Sequence, residues 1–411
     1  MSTKHKPTRD ATTSAAPAAA FPLVLTPGRV PILSWATELD DAALQQATNL
    51  SNLSIAIHHV ALMPDAHAGY GMPIGGVLFA DGAVVPYAIG VDIGCGVALV
   101  ETDLTVADLP PRLLKRLLVA IDAGVPTGFQ KRSAPVSRDV AEAAIGQERP
   151  TSVAEGWLDG ARWQLGTLGG GNHFLEIQRD EAGRVFVMLH SGSRHLGKAI
   201  CDEYHKRALA WSRASGSRLP NDELAFLPAG SDDFDGYWSA MTFALGFAAA
   251  NRAWMLDVVE AAFTACTRVG RFDRVVDIHH NYAAWENHFG QDGVVHRKGA
   301  VRARMDEIVL IPGSMGTASY VGEGLGNAES FETCQHGAGR AMSRHAARRA
   351  RTSDEVYAEM AAIGVVLRSS EPGAVAEEAA FAYKDIETVM ASSASLVRPT
   401  KRLTPLGVVK G

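Results

Sequence analysis

The segment VFVMLHSGS, residues 185–193, joins an uninterrupted apolar run to a glycine-bearing turn that opens with His190. Such a run is typical of a short buried strand. The turn behind a strand is held rigidly, and glycine there allows a ligand to approach the backbone closely. The segment therefore predicts a sheet protein whose strand ends carry a functional site.

The same arrangement recurs along the chain. Short β-rich runs alternate with glycine-bearing turns, and they lie at Ile55–Val60, Gly76–Phe79, Ala83–Val85, Val97–Val100 and Val275–Ile278. A hairpin is predicted from Arg297–Arg304 and Glu307–Ile311. Helical spacing predicts helices at Leu39–Asn52, Pro110–Ile121 and 237–263 and over most of 336–371, whereas 131–160 is predicted to be irregular.

These elements lack the regular βαβ alternation of a Rossmann fold. We therefore predict an α+β fold with a sandwich-like β-sheet core surrounded by helices, and with a site at strand ends and glycine-rich loops. Residues 22–411 are predicted to form a single domain. Residues 1–21, rich in Ser, Thr, Pro and Ala, are predicted to be a disordered tail.

Composition narrows the class of protein. The 411 residues are 47% hydrophobic and 20% charged, which is typical of a globular protein with a large core. The four cysteines are widely spaced and form no CxxC pair, so a disulfide framework is excluded and a reducing cytoplasm is favoured. No apolar run approaches the roughly 20 residues of a membrane span, and no signal peptide is evident. We expect a cytoplasmic protein without a membrane partner.

The net charge of -6 does not by itself indicate a nucleic-acid partner. Phosphate contacts need only a local basic patch. One candidate patch consists of Arg340, Arg344, Arg348, Arg349 and Arg351. A solvated helix face is an equally good interpretation of these arginines.

Metal-type residues follow several of the predicted strands. They lie in GVDIGCG (residues 90–96), GGGNHF (169–174), HSGS (190–193) and HHN (279–281). A single histidine of this kind is more often structural, but four clusters in one chain favour a metal site. Thiolate and imidazole favour zinc, whereas carboxylate and open positions admit manganese. The residues alone leave the metal open, although Cys95 could bridge two ions.

Two further glycine-rich segments are suited to phosphate. PGSMGTASY, residues 312–320, resembles a phosphate-cradling loop but lacks the lysine of a P-loop. In CQHGAGR, residues 334–340, His336 lies beside glycines and an arginine. A neutral imidazole there could attack phosphorus, although a polar helix-capping turn would have the same sequence.

Taken together, these segments resemble the RtcB family of RNA ligases. The resemblance runs in order over about nine tenths of the chain and rests on MPDAHAGYGMPIGG (63–76), GVDIGCG, LGTLGGGNHFLEI (165–177), HSGSRHLG (190–197), HHNY (279–282), PGSMGTASY and CQHGAGRAMSR (334–344). It implies that His336 attacks the α-phosphate of GTP. The implied ligands of two Mn²⁺ ions, with Cys95 bridging, are Asp92, Cys95, His173, His190 and His280. The implied nucleotide-binding residues are Asn172, Glu176, Gly313, Ser314, Met315, Gly316, Ser319, Gly337, Ala338, Gly339, Tyr383 and Lys410.

The resemblance also implies a reaction and a substrate. A 2',3'-cyclic phosphate end is opened, the guanylate moves from His336 to the 3'-phosphate, and a 5'-hydroxyl displaces GMP from RNA(3')pp(5')G. The implied substrates are tRNA halves or cleaved RNA, in tRNA splicing or RNA repair. An activating accessory protein serves some family members.

Two other functions remain open at this point. A metal-dependent cyclic phosphodiesterase or phosphatase would use the same metal residues but would not need His336, Tyr383 or Lys410. A non-catalytic RNA-binding protein would explain the arginines but not the metal-type residues.

Overall fold

A computed structural model describes residues 21–411 of the protein. The predicted disordered tail, residues 1–21, lies outside this part of the chain except for Phe21, which packs against the core. The strands are β1 (Leu23–Leu25), β2 (Ile32–Ser34), β3 (Ala56–His67), β4 (Ile74–Ala80), β5 (Ala83–Val84), β6 (Gly96–Thr105), β7 (Phe174–Arg179), β8 (Arg184–Ser191), β9 (Leu227–Pro228), β10 (Phe272–His279), β11 (Asn281–His288), β12 (Gln291–Lys298), β13 (Ala300–Arg302), β14 (Ile308–Ile311), β15 (Ser319–Gly324), β16 (Thr333–Gln335), β17 (Val366–Ser369) and β18 (Val397–Lys410).

The helices lie between these strands rather than in regular alternation with them. They are α1 (Asp41–Ser51), α2 (Pro86–Ile89), α3 (Pro111–Gly124), α4 (Arg138–Ile145), α5 (Glu155–Ala161), α6 (Arg194–Ser215), α7 (Asp232–Cys266), α8 (Arg344–Ala350), α9 (Ser353–Ala362) and α10 (Ile386–Ser392). Among them, none is long and apolar enough to cross a membrane.

Two large sheets form the centre of the molecule. The larger has the order β10-β6-β8-β7-β18-β15-β14, with β17 also paired to β18. Its edge strands β10 and β14 contact each other, so the sheet curls almost into a closed barrel. The smaller has the order β1-β2-β3-β4-β12-β11. The predicted α+β class with a sandwich-like sheet core is confirmed.

Helices cover the outer face of the larger sheet because its strands are apolar on both faces. Leu117 and Ile121 of α3, with Val259 and Phe263 of α7, pack on strand residues such as Val187. Helix α7 begins at an N-cap serine, Ser231, whose hydroxyl accepts a hydrogen bond from the Phe234 amide at 3.2 Å. This apolar packing holds the larger sheet rigid beneath the site.

Several sequence predictions are corrected by the structure. The predicted hairpin of Arg297–Arg304 and Glu307–Ile311 is wrong, because β12 pairs with β4 and β11, β13 with β16, and β14 with β15. Residues 131–160 contain α4 and α5, and residues 336–371 contain only two short helices before β17. The strand predicted to end at Val60 continues to His67.

Candidate active site

The ends of four neighbouring strands meet at one edge of the larger sheet. In their register, Gly96 at the start of β6 lies opposite Ser191 on β8, and His190 lies opposite Phe174 on β7. Strand β10 pairs with the other side of β6, so that His279 lies opposite Gly96. Each strand therefore places one residue just before, at or just after its end, and these residues are Cys95, His173, His190 and His280.

Three of these side chains form a compact group. The ligating atoms of Cys95, His173 and His190 all lie within 4.8 Å of one another, and all three residues are buried. The Cys95 Sγ is 3.4 Å from His173 Nε2 and 3.2 Å from His190 Nε2. The thiol thus stands between two imidazole nitrogens.

Asp92 and His280 each contact one histidine of this group. One Asp92 carboxylate oxygen is 3.1 Å from His173 Nε2, and His280 Nε2 is 3.3 Å from His190 Nε2. His280 occupies the crossing from β10 in the larger sheet to β11 in the smaller one, and its amide donates to the Cys95 carbonyl at 2.9 Å. We call these five residues, Asp92, Cys95, His173, His190 and His280, the metal-type cluster.

Backbone carbonyls orient two of the imidazoles. His173 Nδ1 donates to the Leu168 carbonyl at 2.9 Å, and His190 Nδ1 donates to the Asn172 carbonyl at 3.2 Å. A carbonyl only accepts, so His190 Nδ1 carries the proton, and the lone pair on its Nε2 faces the Cys95 sulfur. The Nε2 of His173 faces both the Cys95 sulfur and the Asp92 carboxylate. Burial also lowers the pKa of His190 and of His280 well below the ordinary value, which keeps both imidazoles neutral.

The donor set fits a divalent metal. Burial and the nearby Asp92 raise the pKa of the Cys95 thiol well above its ordinary value, so a thiolate here requires a compensating cation. Burial opposes ionisation of Asp92, but its hydrogen bond with His173 lowers the carboxyl pKa to about 2. The Nδ1 of His280 is buried without a hydrogen-bond partner among the described residues. Neutral imidazoles, one carboxylate and one thiol are the ligand types of zinc and manganese sites.

His336 lies directly beside this cluster. Strand β16 ends at Gln335 and pairs with β13, whose first residue donates its amide to the His280 carbonyl at 3.1 Å. The rings of His280 and His336 are consequently 4.7 Å apart, centroid to centroid. A Cβ added at Gly299 would lie 3.1 Å from the His336 ring.

A fully buried aspartate fixes the His336 ring. The Asp65 carboxylate accepts from His336 Nδ1 at 2.7 Å and from the His336 amide at 3.2 Å. Nδ1 therefore carries the proton, and the lone pair lies on Nε2. Asp65 lies in the segment MPDAHAGYGMPIGG, residues 63–76, and its contact with His336 was not predicted from the sequence.

A cavity of about 1030 Å³ joins His336, the metal-type cluster and residues of both sheets. Most of the predicted nucleotide-binding residues line it: Asn172, Glu176, Gly313, Ser314, Met315, Gly337, Ala338, Gly339, Tyr383 and Lys410. Gly316 and Ser319 do not. Gly316 faces Met360, and the Ser319 hydroxyl accepts hydrogen bonds from the Gly313 amide and the Gln178 side chain. These two residues support the loop rather than line the cavity.

Elsewhere in the lining of the same cavity, three cations surround one carboxylate. Glu378 is 3% exposed; its Oε1 lies 3.0 Å from Arg344 Nε and 3.4 Å from Arg340 Nη1, and its Oε2 lies 3.8 Å from Lys410 Nζ. The Tyr383 hydroxyl donates to the same carboxylate. We call these residues, Arg340, Arg344, Glu378, Tyr383 and Lys410, the charged cluster.

Electrostatics couple the members of the charged cluster. Burial opposes ionisation of Glu378, but Lys410 and Arg344 hold its pKa below the ordinary value. Burial and Glu378 raise the pKa of Tyr383 well above its usual range. Nearby on β7, burial raises the pKa of Glu176 to about 7, even though Glu176 accepts a hydrogen bond from Gln178 at 2.6 Å.

Comparison with known proteins assigns the chain to a family. The sequence model described as tRNA-splicing ligase RtcB matches residues 46–411. The RNA-splicing ligase RtcB of Escherichia coli K12 is 38% identical over 409 residues, covering 94% of this chain and 99% of that protein. The tRNA-splicing ligase RtcB of Methanococcus maripaludis is 34% identical, covering 91% and 92%. The RNA-splicing ligase RtcB of Mycobacterium tuberculosis is 34% identical, covering 89% and 100%.

The chain belongs to the RtcB family. The cavity of this RtcB protein is lined by residues from all seven segments on which the resemblance was recognised, including Cys95, His190 and His280 of the metal-type cluster. All four cysteines are free within the described residues, as the spacing predicted.

The arginine run of this RtcB protein matches neither of its two earlier interpretations fully. Arg340 and Arg344 belong to the charged cluster and line the cavity, whereas Arg348 pairs with Glu377 and Arg351 pairs with Glu359. Glu378, the carboxylate that contacts Arg340, Arg344 and Lys410, was not singled out from the sequence. It lies in a 3-10 segment, Pro372–Glu378, that carries no recognisable motif.

Proposed function

We propose that this protein is a GTP- and manganese-dependent RNA ligase. Its RtcB relatives are named RNA-splicing and tRNA-splicing ligases, which supports an RNA ligase. In this proposal it joins RNA ends bearing a 3'-phosphate or 2',3'-cyclic phosphate to 5'-hydroxyl ends. The observation that carries the proposal is His336, a histidine oriented by Asp65 and placed against the metal-type cluster inside one cavity.

His336 is the nucleophile in this proposal. Its Nδ1 proton is committed to the buried Asp65 carboxylate, so Nε2 carries the lone pair that would attack the α-phosphate of GTP. As the N–P bond forms, the bond to pyrophosphate breaks and positive charge develops on the imidazole. Asp65 stabilises that charge, in the same way as a carboxylate behind a catalytic histidine.

The metal-type cluster would hold two Mn²⁺ ions. The contacts of Cys95 support a bridging role, because its sulfur lies between His173, which Asp92 contacts, and His190, which His280 contacts. When bound, the ions supply positive charge that stabilises phosphate oxygens during displacement. The Asp92 carboxylate and the Cys95 thiolate would compensate only part of the charge of two divalent ions, which favours anionic substrates.

The remaining cavity residues would bind the nucleotide. Gly337, Ala338 and Gly339 follow His336 directly, and small residues there let a phosphate approach the backbone. The Pro312–Met315 loop lines the cavity next to them. Three further residues of the cavity lining would recognise the guanine or the phosphates: Glu176, Tyr383 and Lys410.

The ligase proposal is tested with RNA carrying a 2',3'-cyclic phosphate and a 5'-hydroxyl. The purified protein should join these ends only when both Mn²⁺ and GTP are present. If it instead opened the cyclic phosphate and never joined the ends at any GTP concentration, the metal-dependent phosphodiesterase would be the better assignment.

A further inference from the structure

One large aromatic side chain of the cavity is left uncovered by the fold. Among the described residues, fourteen large apolar side chains are exposed, and Tyr70 is the one of these that lines the cavity. Its exposed fraction is 68%. The ring belongs to none of the aromatic pairs of the described residues, whereas Tyr87 in the same cavity already stacks on His205 with 4.0 Å between ring centroids.

The loop that carries Tyr70 is held firmly on both sides. The Gly69 amide donates to the Gln46 side chain at 3.0 Å, and the Gln46 amide nitrogen donates back to the Gly69 carbonyl at 2.6 Å. The Gly71 amide donates to Glu223 at 2.5 Å. Gly71 adopts a φ of +68°, which a side chain would strain. The backbone is therefore fixed while the phenol ring faces solvent.

A buried cation lies under the same loop. Lys298 Nζ donates to the Tyr70 carbonyl and, at 3.1 Å, to the Tyr87 carbonyl, and its side chain lines the cavity. Lys298 forms no salt bridge within residues 21–411. The part of the cavity around Tyr70 thus combines an exposed aromatic face with a cation that has no carboxylate partner, which are the two groups that single-stranded RNA requires.

Tyr70 and Lys298 line the same cavity as His336, Cys95 and His190. Glu176, Tyr383 and Lys410, which also line it, are proposed to bind the GTP nucleotide. A second nucleotide-sized ligand that reaches His336 would share the cavity with the exposed Tyr70 ring. Because ligation brings RNA ends to His336, that ligand is the end of an RNA strand.

We propose that Tyr70 stacks on the base of the terminal RNA nucleotide whose phosphate or hydroxyl reacts in the cavity. This inference rests on the proposed ligase function. An uncovered aromatic ring on a fixed backbone provides a stacking surface without base preference, because every base has a π-face. Tyr70 would bind and position RNA and would take no part in the reaction of His336 with GTP.

The direct test is equilibrium binding of a fluorescently labelled RNA to the metal-loaded protein, measured by anisotropy in the absence of GTP. Tyr70→Ala should weaken binding by about 10- to 100-fold, the range for loss of one base–aromatic stack. Tyr70→Phe should bind like the unaltered protein, because the ring and not the hydroxyl makes the contact. Phe289→Ala removes another exposed ring, 51% exposed and outside the cavity lining, and should have no effect.

Abasic RNAs identify the strand. Two abasic RNAs are compared, one lacking the terminal base of the 3'-phosphate strand and one lacking that of the 5'-hydroxyl strand. One of the two should bind to the unaltered protein as weakly as intact RNA binds to Tyr70→Ala. Sensitivity in one strand assigns the stack to that strand. If neither abasic RNA is affected, or if Tyr70→Ala binds RNA normally, the proposal is overturned.

Guanylation of His336 separates this inference from the ligase proposal. Tyr70→Ala should become labelled by GTP at the same rate and with the same GTP concentration dependence as the unaltered protein, which also shows that the variant folds. A raised GTP requirement in Tyr70→Ala would assign the ring to guanine and overturn the RNA stack. Absence of labelling in the unaltered protein would instead contradict the ligase proposal, whatever the RNA-binding result.

Discussion

The metal-type cluster and the charged cluster, which share one cavity, differ in how their charges are balanced. In the metal-type cluster, neutral imidazoles surround a thiol whose ionisation is opposed by burial and by Asp92. In the charged cluster, Glu378 already compensates its cationic neighbours. The first therefore gains stability from an added cation, whereas the second already holds three cations around the Glu378 carboxylate.

This difference separates the roles of the two regions. A site that needs a cation to ionise its thiol should bind metal tightly and lose it when one ligand is removed. Removing the one carboxylate from a group with three cations should lower the stability of the fold. Substitutions in the metal-type cluster should therefore change metal content, whereas substitutions in the charged cluster should change the stability of the fold.

The largest effect is expected in the metal-type cluster. Cys95→Ala removes the sulfur that contacts both His173 and His190, so bound manganese should fall to background. Elemental analysis after dialysis measures this directly. Cys201→Ala, which alters a buried cysteine in α6, should retain metal. Full metal content in Cys95→Ala would contradict the bridging role.

The link between the two regions is tested at Asp65. Asp65→Asn removes the charge that holds the His336 proton on Nδ1, and guanylation should slow by at least about 100-fold. Metal content should not change, because Asp65 contacts His336 and no member of the metal-type cluster. The rate of labelling by GTP provides the measurement, with the exposed Asp108→Asn as the control. Unchanged labelling in Asp65→Asn would show that the hydrogen bond does not activate His336.

A smaller effect is expected in the charged cluster. Glu378→Gln leaves Lys410 and Arg340 buried without their counter-charge, and the free energy of unfolding should fall by about 3 kcal/mol. Chemical denaturation measures the change. Glu377→Gln should lower stability by less than about 1 kcal/mol, because its partners Arg344 and Arg348 are about half exposed. Equal decreases in the free energy of unfolding of the two variants would contradict the conclusion that Glu378 is the main counter-charge of the charged cluster.

The smallest effect is a change in pH dependence. Burial raises the pKa of Glu176 from 4.5 to about 7, so between these values the folded protein binds a proton that the unfolded chain has released. The contribution of Glu176 to stability therefore falls as pH rises from 4.5 to 7, and its unfavourable effect is complete above pH 7. In Glu176→Gln the Tm should drop less between pH 5 and pH 8, by roughly 2–5 °C. As a control, substitution of the exposed Glu181 by glutamine should leave the drop in Tm the same as in the unaltered protein. An unchanged drop in Glu176→Gln would contradict the raised pKa of Glu176.

Most of the site residues predicted from the sequence lie together in the structure, whereas their surroundings were predicted less well. His190 lies near the end of β8 and His280 follows β10, whereas Cys95 and His173 directly precede β6 and β7. The strand registers bring the four residues together. Asp65 could be quoted but not interpreted, because its partner His336 is 271 residues away in the chain. Nothing local distinguishes an aspartate within a strand that binds a distant histidine from one that does not.

Errors in the fold prediction have equally local causes. The polar turn at Arg304–Asp306 resembles a hairpin turn, but pairing partners for β13 and β14 come from later in the chain. Helices α4 and α5 are only 8 and 7 residues long, too short for a clear periodicity. The N-cap Ser137 and the left-handed Gly146 that bound α4 were signals that could have found it.

The most direct test of the central claim is covalent labelling of His336. The purified protein, loaded with Mn²⁺, is incubated with GTP labelled at the α-phosphate and separated on a denaturing gel. We predict a labelled band that is acid-labile, absent in His336→Ala and absent in Cys95→Ala, while His336→Ala still binds manganese. A band of undiminished intensity in His336→Ala, or no label in the unaltered protein with any divalent metal, would contradict the assignment of His336 as the nucleophile.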